Sequence, residues 1–200
     1  TRPRVSENLN INYYREPQSD SRSWDLVLDL TLRPSSRVLV TLSPAAGWNR
    51  AGLQYIGAAG GPGGTRYYAG RLEQTTAYLT ARINYTFTRD LSLQYYGQPF
   101  LTAGRYDAFR QVADPRAHDL DPRFRPLTPA EAADFPSPDF NFREYRSNTV
   151  LRWEYRPGSA LFLVWSQGRT GFAPDGTFRF GDDVKDLFRV QPANVFLVKL

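Results

Sequence analysis

Residues 78–87, YLTARINYTF, give the clearest indication of the fold class of this chain. From Leu79 onward its apolar residues fall on every second position, and polar residues occupy the positions between them. A period of two is that of a β-strand, because successive side chains of a strand point to opposite faces of the sheet. The stretch therefore predicts a strand with one apolar face and one polar face.

The same alternation recurs along the chain and predicts about eight strands. The expected ranges are residues 3–15, 22–33, 36–60, 65–88, 91–99, 144–156, 159–169 and 193–200. Pro44 and Gly47 are expected to interrupt the third strand with a bulge. Two short helices are expected in loops, one with Thr128 as its cap and Pro129 at its first position, the other over residues 182–188.

Connections of two lengths join these strands. Short turns lie near residues 33–37, 88–90 and 156–159, residues 60–64 form a glycine-rich hairpin tip, and residues 100–143 and 170–192 form long loops. A soluble sandwich has no reason to place short turns at one end and long loops at the other, whereas outer-membrane barrels do. We therefore expect an all-β, antiparallel transmembrane β-barrel, with these strands forming part of a larger barrel.

The barrel interpretation assigns each strand face to an environment. The apolar face, which includes Leu28, Ile83 and Trp153, is expected against lipid, and the polar face against the lumen. Polar groups in the lumen either set the selectivity of a pore or pair across strands to fill the interior, and both roles stay open. Two of them, Arg152 and Glu154, are each expected to pair with an adjacent strand. The expected lumen-facing polar residues are Arg82, Asn84, Arg152 and Glu154.

Composition and motifs exclude several classes of function. The net charge is +5, but the 25 basic residues are scattered rather than arranged in a stripe, which disfavours a nucleic-acid partner. The chain has no cysteine, so disulfides and thiol catalysis are excluded. His118 lies among carboxylates, but their spacing fits no metal-ligand pattern, and no Gly-x-Ser-x-Gly motif is present. We therefore predict no catalytic residue, no metal and no cofactor in this segment.

Several strings carry a resemblance to a known family. They are RINYTF at 82–87, QPF at 98–100 with GRY at 104–106, DFNFR at 139–143, RSN at 146–148 with LRWEYRPGS at 151–159, and NVFLVKL at 194–200. These strings resemble the C-terminal barrel region of the bacterial domain-of-unknown-function family 5916, over most of residues 65–200. The resemblance implies an exported protein of the Gram-negative outer membrane, with the lipid bilayer as a partner and a carbohydrate-binding family 9-like sandwich domain upstream in the same chain.

The same resemblance implies a role in binding or uptake of a polysaccharide or oligosaccharide. The alternative is a barrel that anchors a glycan-acting hydrolase whose site lies upstream of this fragment. Aromatic rings at both ends of the loop predicted at 100–143 could stack on sugars, with Asn and Arg beside them to meet hydroxyl groups, or could pin the loop to the barrel wall. The candidate ligand-binding residues are Phe100, Tyr106, Phe140, Asn141, Phe142 and Arg143.

Overall fold

A computed structural model describes residues 4–61, 64–133 and 136–200 of the 200-residue chain. Its strands are β1 (Val5–Glu16), β2 (Ser21–Ser35), β3 (Val38–Gly61), β4 (Gly64–Thr86), β5 (Leu91–Val112), β6 (Phe124–Pro126), β7 (Phe140–Arg156), β8 (Ser159–Ala173) and β9 (Ala193–Lys199). Its helices are α1 (Leu120–Arg123), α2 (Pro129–Ala133) and α3 (Phe180–Arg189). The predicted all-β class is confirmed, and both predicted loop helices are present as α2 and α3.

The strands within the described ranges form one antiparallel sheet. Their order is β1-β2-β3-β4-β5-β7-β8-β9, and the short β6 pairs with the far end of β5. Each long strand therefore pairs with the next long strand along the chain, which is the order found in the wall of an up-and-down barrel. Among the described residues, β1 pairs with β2 alone and β9 with β8 alone, so these two strands form the edges of the sheet.

The two ends of the sheet differ in their connections. At one end, here called the short-turn end, residues 36–37, 87–90 and 157–158 join neighbouring strands. At the opposite loop end lie residues 17–20, the β3–β4 hairpin and the long connections 113–139 and 174–192. Short turns at one end and long loops at the other are the arrangement that the sequence predicts. None of the helices in the described part of the chain is long and apolar enough to cross a bilayer.

Two details differ from the sequence prediction. The loop expected at 100–143 is shorter, because β5 continues to Val112 and β7 begins at Phe140. The expected bulge at Pro44 and Gly47 is wrong: Pro44 lies directly opposite Leu79, and the register shifts of β3 against β4 fall between residues 51 and 57. The predicted tip at 60–64 includes residues 62 and 63, which lie outside the described residues.

The most buried residues lie where β4 and β5 approach the loop end and where α3 packs on the sheet. Leu72, Leu101 and Ala103 are almost completely buried, and Leu187 of α3 is completely so. Asn141 and Asp183 are buried polar residues in the same region. The packed core is therefore built around α3 and the loop-end half of the sheet, whereas much of the remaining apolar surface is exposed.

Candidate functional site

The strand register sorts side chains onto two faces of the sheet. Directly opposed residues of antiparallel strands share a face. Following the pairs from β2 to β8 places one set of apolar residues on what we call the apolar face: Leu28, Leu30, Leu42, Ala81, Ile83, Leu93, Leu151, Trp153 and Leu161. The opposite, polar face carries Asn10, Asp29, Arg82, Asn84, Arg152 and Glu154.

Aromatic residues border the apolar face at two heights. Tyr13, Trp24 and Trp48 are opposed across β1, β2 and β3 towards the loop end, and we call them the upper girdle. The lower girdle, near the short turns, consists of Tyr85, Phe87, Trp153 and Tyr155. Tyr85 contacts Phe87 with ring centroids 4.4 Å apart, and Trp153 contacts Tyr155 at 6.1 Å. The residues between the two girdles on this face are predominantly aliphatic.

Side chains on the polar face pair with one another. The guanidinium of Arg82 lies 5.6 Å from the ring centroid of Tyr96, and Gln98 Nε2 donates to Thr80 Oγ1 at 2.9 Å. Arg152 Nη2 donates to Glu154 Oε2 at 2.5 Å. Arg152 and Glu154 therefore pair with each other, and the prediction of partners on adjacent strands was wrong. Their position two residues apart on one strand face brings these long side chains within reach.

An aromatic cluster lies on the polar face towards the loop end. We define it as Tyr78, Phe100, Tyr106, Phe140 and Phe142. Phe100 is at the centre of one group, with ring centroids 6.2 Å from Tyr78 and 6.4 Å from Phe142. Tyr106 and Phe140 form a second pair at 6.5 Å. The cluster brings together four of the six candidate ligand-binding residues and adds Tyr78.

Gly104 provides the space in which the Phe140 ring lies. A Cβ atom at this position would overlap Phe140 Cε1 and would be 2.9 Å from Leu72 Cδ1. Such contacts are much closer than packed side chains tolerate, so a larger residue at Gly104 would displace the ring. The glycine is therefore a packing element of the aromatic cluster.

Polar groups border the aromatic cluster. Thr102 Oγ1 lies 2.9 Å from Thr76 Oγ1 and accepts a hydrogen bond of 2.9 Å from Gln74 Nε2. The backbone N–H of Tyr106 donates to Asp139 Oδ1 at 2.7 Å. Burial raises the pKa of the Tyr106 hydroxyl, and the negative charge of Asp139 raises it further. The Tyr106 hydroxyl is therefore a neutral donor and acceptor at physiological pH.

The remaining two candidate residues lie on the opposite face. Asn141 Nδ2 donates to Asp183 Oδ1 at 2.8 Å, and Arg143 Nη1 donates to Asp186 Oδ2 at 2.9 Å. Both acceptors belong to α3, which is thereby fixed on the apolar face of the sheet. Asn141 and Arg143 cannot meet a ligand held by Phe140 and Phe142, because neighbouring strand residues point to opposite sides.

Further contacts hold the C-terminal end of α3 against the sheet. Tyr145 packs against Phe188 with ring centroids 5.3 Å apart. Arg169 lies 5.7 Å from the centroid of the same ring and donates to the carbonyl oxygens of Phe188 and Val190 at 2.7 Å and 2.6 Å. The carbonyl groups at the end of the helix, which have no partner within the helix, thus accept hydrogen bonds from a cation. Helix α3 is a fixed part of the sheet surface.

The other long connection has its own internal fastening. Arg125 donates from both terminal nitrogens to the Glu131 carboxylate at 2.9 Å, and the Thr128 backbone N–H and hydroxyl donate to the same group. Thr128 and Glu131 form the reciprocal cap of α2. The Arg125 guanidinium, followed by the bonds from Thr128, lowers the pKa of Glu131 to about 2.

No metal centre emerges in the described part of the chain. No three acidic or imidazole side chains there lie close enough together to hold an ion. The His118 side chain is 96% exposed, and its Nδ1 lies 3.3 Å from Asp119 Oδ1. An exposed pair of this kind is that of a solvated loop.

Comparison with known proteins gives the family. The model of the family described as "Domain of unknown function (DUF5916)" matches residues 1–200. The chain belongs to this family. The match covers the whole chain, so the range of 65–200 inferred from the resemblance was too narrow.

The other comparisons are more distant. No curated protein matches the sequence significantly. Among solved structures, this DUF5916 chain is similar to a protein titled "Copper transporter OprC", with 10% sequence identity and a TM-score of 0.36. The alignment covers 97% of this chain and 36% of that one, so the chain spans about a third of the length of that protein.

Sequence reasoning missed two parts of the site in this DUF5916 chain. Tyr78 belongs to the aromatic cluster, and the alternation of its strand already placed it on the polar face beside Thr80. The second is the attachment of α3 to Asn141 and Arg143. The predicted helix over 182–188 was the available signal, but no pattern in the sequence shows that Asp183 is buried or which strand supplies its partners.

Proposed function

We propose that this chain forms part of a transmembrane β-barrel of the Gram-negative outer membrane, whose polar face binds or passes polar solutes such as saccharides. The observation that carries the proposal is the separation of the two faces. One face is aliphatic between two aromatic girdles, and the other is lined by paired polar groups. Lipid-facing and lumen-facing surfaces of outer-membrane barrels differ in this way.

The height of the apolar band supports the membrane assignment. On β4, Thr75 lies opposite Trp48 of the upper girdle, and Tyr85 belongs to the lower girdle. The roughly ten residues between them span about 33 Å along the strand at about 3.3 Å per residue. A strand tilt of about 40° reduces this to about 25 Å, which is the height of the apolar band of such barrels.

The sheet edges support a larger barrel. Each residue of β1 and β9 whose burial is described is exposed or nearly so, and each strand lacks a second neighbour in the described ranges. Unpaired backbone groups in hydrocarbon each cost several kcal/mol, by the order of magnitude for unsatisfied amides. Further strands would satisfy both edges and close the barrel.

The aromatic cluster supports saccharides as the polar solute. Flat rings stack on the apolar faces of sugars, and hydroxyl and amide groups beside them accept and donate hydrogen bonds. The cluster offers the rings of Phe100 and Phe142 on the same face as Thr102 and Gln74. Its position towards the loop end is where a solute arriving from outside would first meet the wall.

Insertion is tested with the full-length protein in detergent and in lipid vesicles. A closed barrel resists detergent because its hydrogen bonds are shielded, so the unheated sample should run at a different position from the boiled sample in a detergent gel. The protein should also remain with the vesicles after washing. Partitioning into the aqueous phase, with no shift on heating, would contradict the barrel assignment.

Saccharide passage is tested by swelling of liposomes that contain the inserted protein. The double variant Phe100→Ala/Phe142→Ala should alter the uptake of an oligosaccharide series, whereas Phe162→Ala, the same residue type on the same face near the short turns, should not. Uptake and binding that neither variant changes would remove the cluster as a recognition element. An inserted protein that neither passes nor binds saccharides would favour the alternative role as an anchor for an upstream hydrolase.

The long connection is tested by deletion. Tyr106 and Asp139 are already in contact through the 2.7 Å hydrogen bond, so residues 107–138 can be removed by joining these two positions. Insertion should survive, since the deleted residues lie beyond the upper girdle. Unchanged saccharide binding by the deletion variant would exclude the connection as a recognition element and leave the barrel wall or an upstream domain.

A further inference from the structure

We infer that the apolar face carries a binding site for an anionic lipid with a phosphorylated headgroup, with its acyl chain between α3 and strands β2 to β5 and its headgroup at arginines above the upper girdle. The inference rests on the proposed function, because it requires this face to meet the outer leaflet. It adds a specific lipid partner, which the barrel assignment alone does not require.

The acyl-chain part of the site is a cavity of about 1010 Å³. None of the side chains that line it is charged, and they include Trp24, Leu26, Trp48, Leu79, Phe180 and Phe188. Its volume is at the upper end of the range of small-molecule sites, about 300–1,000 Å³. The cavity is continuous with the aliphatic band below the upper girdle, so a chain from the bilayer could enter it without crossing a polar surface.

Helix α3 is built as an interfacial helix. Phe180, Val184 and Phe188 line the cavity, while Asp182 and Lys185 are exposed on the opposite side and pair at 3.7 Å. Phe180 remains 62% exposed. Helices that have separate apolar and charged faces and a low overall hydrophobicity lie in the headgroup region of a bilayer, with the apolar face towards the acyl chains. The bonds to Asn141 and Arg143 fix α3 in that orientation.

The headgroup part of the site is a row of charged residues just beyond the upper girdle. Arg22 lies opposite Arg50 in the register, Arg50 opposite Glu73, and Glu73 opposite Arg105. The Arg22 guanidinium stacks at 5.5 Å from the centroid of Trp48, which itself lines the cavity. From the loop end towards the short turns, the surface therefore presents a cation, an indole ring and an aliphatic wall. These three layers match the phosphate, the interface and the acyl region of a lipid leaflet.

The row carries more positive than negative charge. Arg50 is neutralised by Asp20 at 2.6 Å and by Glu73 at 3.8 Å. Neither Arg22 nor Arg105 has an ion-pair partner among the described residues, and the buried Nε of Arg50 has no hydrogen-bond partner there. A phosphate supplies the anionic acceptor oxygens that these donors lack. Charge complementarity thus selects an anionic lipid with a phosphorylated headgroup over a neutral lipid or a second copy of this positively charged chain.

The experiment uses quenching of tryptophan fluorescence by brominated acyl chains in vesicles. The full-length protein should carry Trp153→Phe and Trp165→Phe, so that within residues 1–200 Trp24 and Trp48 report on the cavity; any tryptophan elsewhere in the protein is replaced likewise. Vesicles of phosphatidylcholine then receive a fixed fraction of either brominated phosphatidylglycerol or brominated phosphatidylcholine. We expect stronger quenching by the anionic lipid at equal fraction, and loss of this preference at high salt.

Arginine variants locate the headgroup. Arg22→Gln/Arg105→Gln should reduce the preference for phosphatidylglycerol, by about five-fold in relative binding constant for each arginine that meets the phosphate. The matched control is Arg37→Gln/Arg89→Gln, which removes two exposed arginines at the short-turn end and should leave the preference unchanged. Heat-shifted gel mobility verifies that each variant has assembled, and the salt dependence of the unmodified chain tests the inference without any arginine variant.

The outcomes separate this inference from the barrel assignment. Equal quenching by the two brominated lipids, or an equal loss of preference in both double variants, would overturn the lipid site while leaving the barrel intact. If both lipids quench weakly, and the protein forms a stable dimer or an upstream domain protects the face, the occupant of the face would be that protein surface and not a lipid. No quenching together with no vesicle association would contradict the proposed function itself.

Discussion

Strand β7 has opposite polarity in its two halves. Towards the short turns, Leu151 and Trp153 lie on the apolar face and Arg152 on the polar face. Towards the loop end, Asn141 and Arg143 occupy the apolar face, while aromatic rings occupy the polar one. The period of two is continuous through both halves, so the inversion reflects a change of surroundings and not a break in the strand.

The difference shows what each half of the strand is selected to contact. In the first half, the apolar face has only aliphatic and aromatic neighbours. In the second half, the same face is covered by α3. Its buried Asp183 requires a donor, which Asn141 supplies, and Arg143 pairs with the half-exposed Asp186. A buried carboxylate without such donors is costly. The inversion therefore marks the height at which the apolar face stops being the open band between the girdles and is covered by α3.

The largest effect is expected from placing a charge on the apolar face of β7 midway between the girdles. Ser147 lies opposite Gly97, which lies opposite Ala81 in the middle of the band on β4. Ser147→Arg should destabilise the inserted protein by about 2–4 kcal/mol, because lipid-facing arginine near the bilayer midplane costs this much. Asn148→Arg, the neighbouring residue on the polar face, should cost much less. The measurement is refolding into lipid vesicles as a function of denaturant. Equal costs for the two variants would show that the two faces have the same environment.

A smaller effect is expected from removing the carboxylate of Asp183, an α3 residue that bonds to the sheet. Asp183 accepts hydrogen bonds from Asn141 Nδ2 and from the Arg179 backbone N–H, each at 2.8 Å. Asp183→Ala leaves these buried donors unsatisfied and should lower the free energy of opening α3 by about 1–3 kcal/mol. Hydrogen exchange of the amides in 180–189 measures this opening.

Asp182→Ala is the matched control for this prediction. Asp182 is on the same helix, but it is exposed and its partner Lys185 lies 3.7 Å away in solvent. Exposed pairs contribute about 0–1 kcal/mol, so protection of α3 should change little. Similar exchange in the two variants would mean that Asn141 and Arg143 do not hold the helix, and the inversion in β7 would need another cause.

The smallest effect is a pH dependence of the connection 113–139. The pKa of Glu131 is lowered from an ordinary value of 4.5 to about 2, first by Arg125 and then by Thr128. Its ion pair therefore stabilises the connection fully above pH 4.5, and this contribution is lost as the pH falls towards about 2. Limited proteolysis should become faster in the connection over that range.

Glu131→Gln tests the origin of that pH dependence. The variant should be cleaved faster than the unmodified chain at neutral pH and should lose the dependence between pH 4.5 and about 2. A dependence that persists in the variant would assign it to another carboxylate. Asp175 is the comparison group, since bonds from the Thr177 hydroxyl and then Arg179 also lower its pKa, in the other connection.

The regular part of the molecule was predictable from local pattern. Alternation placed Leu28, Ile83 and Trp153 on one face and Arg82 on the other, because the side-chain period of a strand depends only on its backbone. The turn residues located three hairpins for the same local reason. The prediction failed where pairing partners decide the outcome: residues 101–112 have a weak pattern, yet they are strand because the extended β3–β4 hairpin offers β4 as a partner.

The candidate site was only partly predictable for a related reason. The sequence placed Phe140, Asn141, Phe142 and Arg143 side by side and suggested one recognition element. Strand geometry divides them between two faces, so the aromatic residues join Tyr78 and Phe100, and the polar ones bind α3. A motif that is contiguous in sequence is not contiguous in space when it lies in a strand.

Local sequence was therefore sufficient to establish the class of fold, the two-faced strands and the asymmetry of the connections. These properties follow from backbone periodicity and turn chemistry, which act within a few residues. Three further properties are visible only in the folded chain: the height at which the faces change character, the attachment of α3 to β7, and the alignment of Arg22, Arg50 and Arg105 above the cavity. These depend on the register between strands distant in sequence, and register is set by packing across the whole sheet.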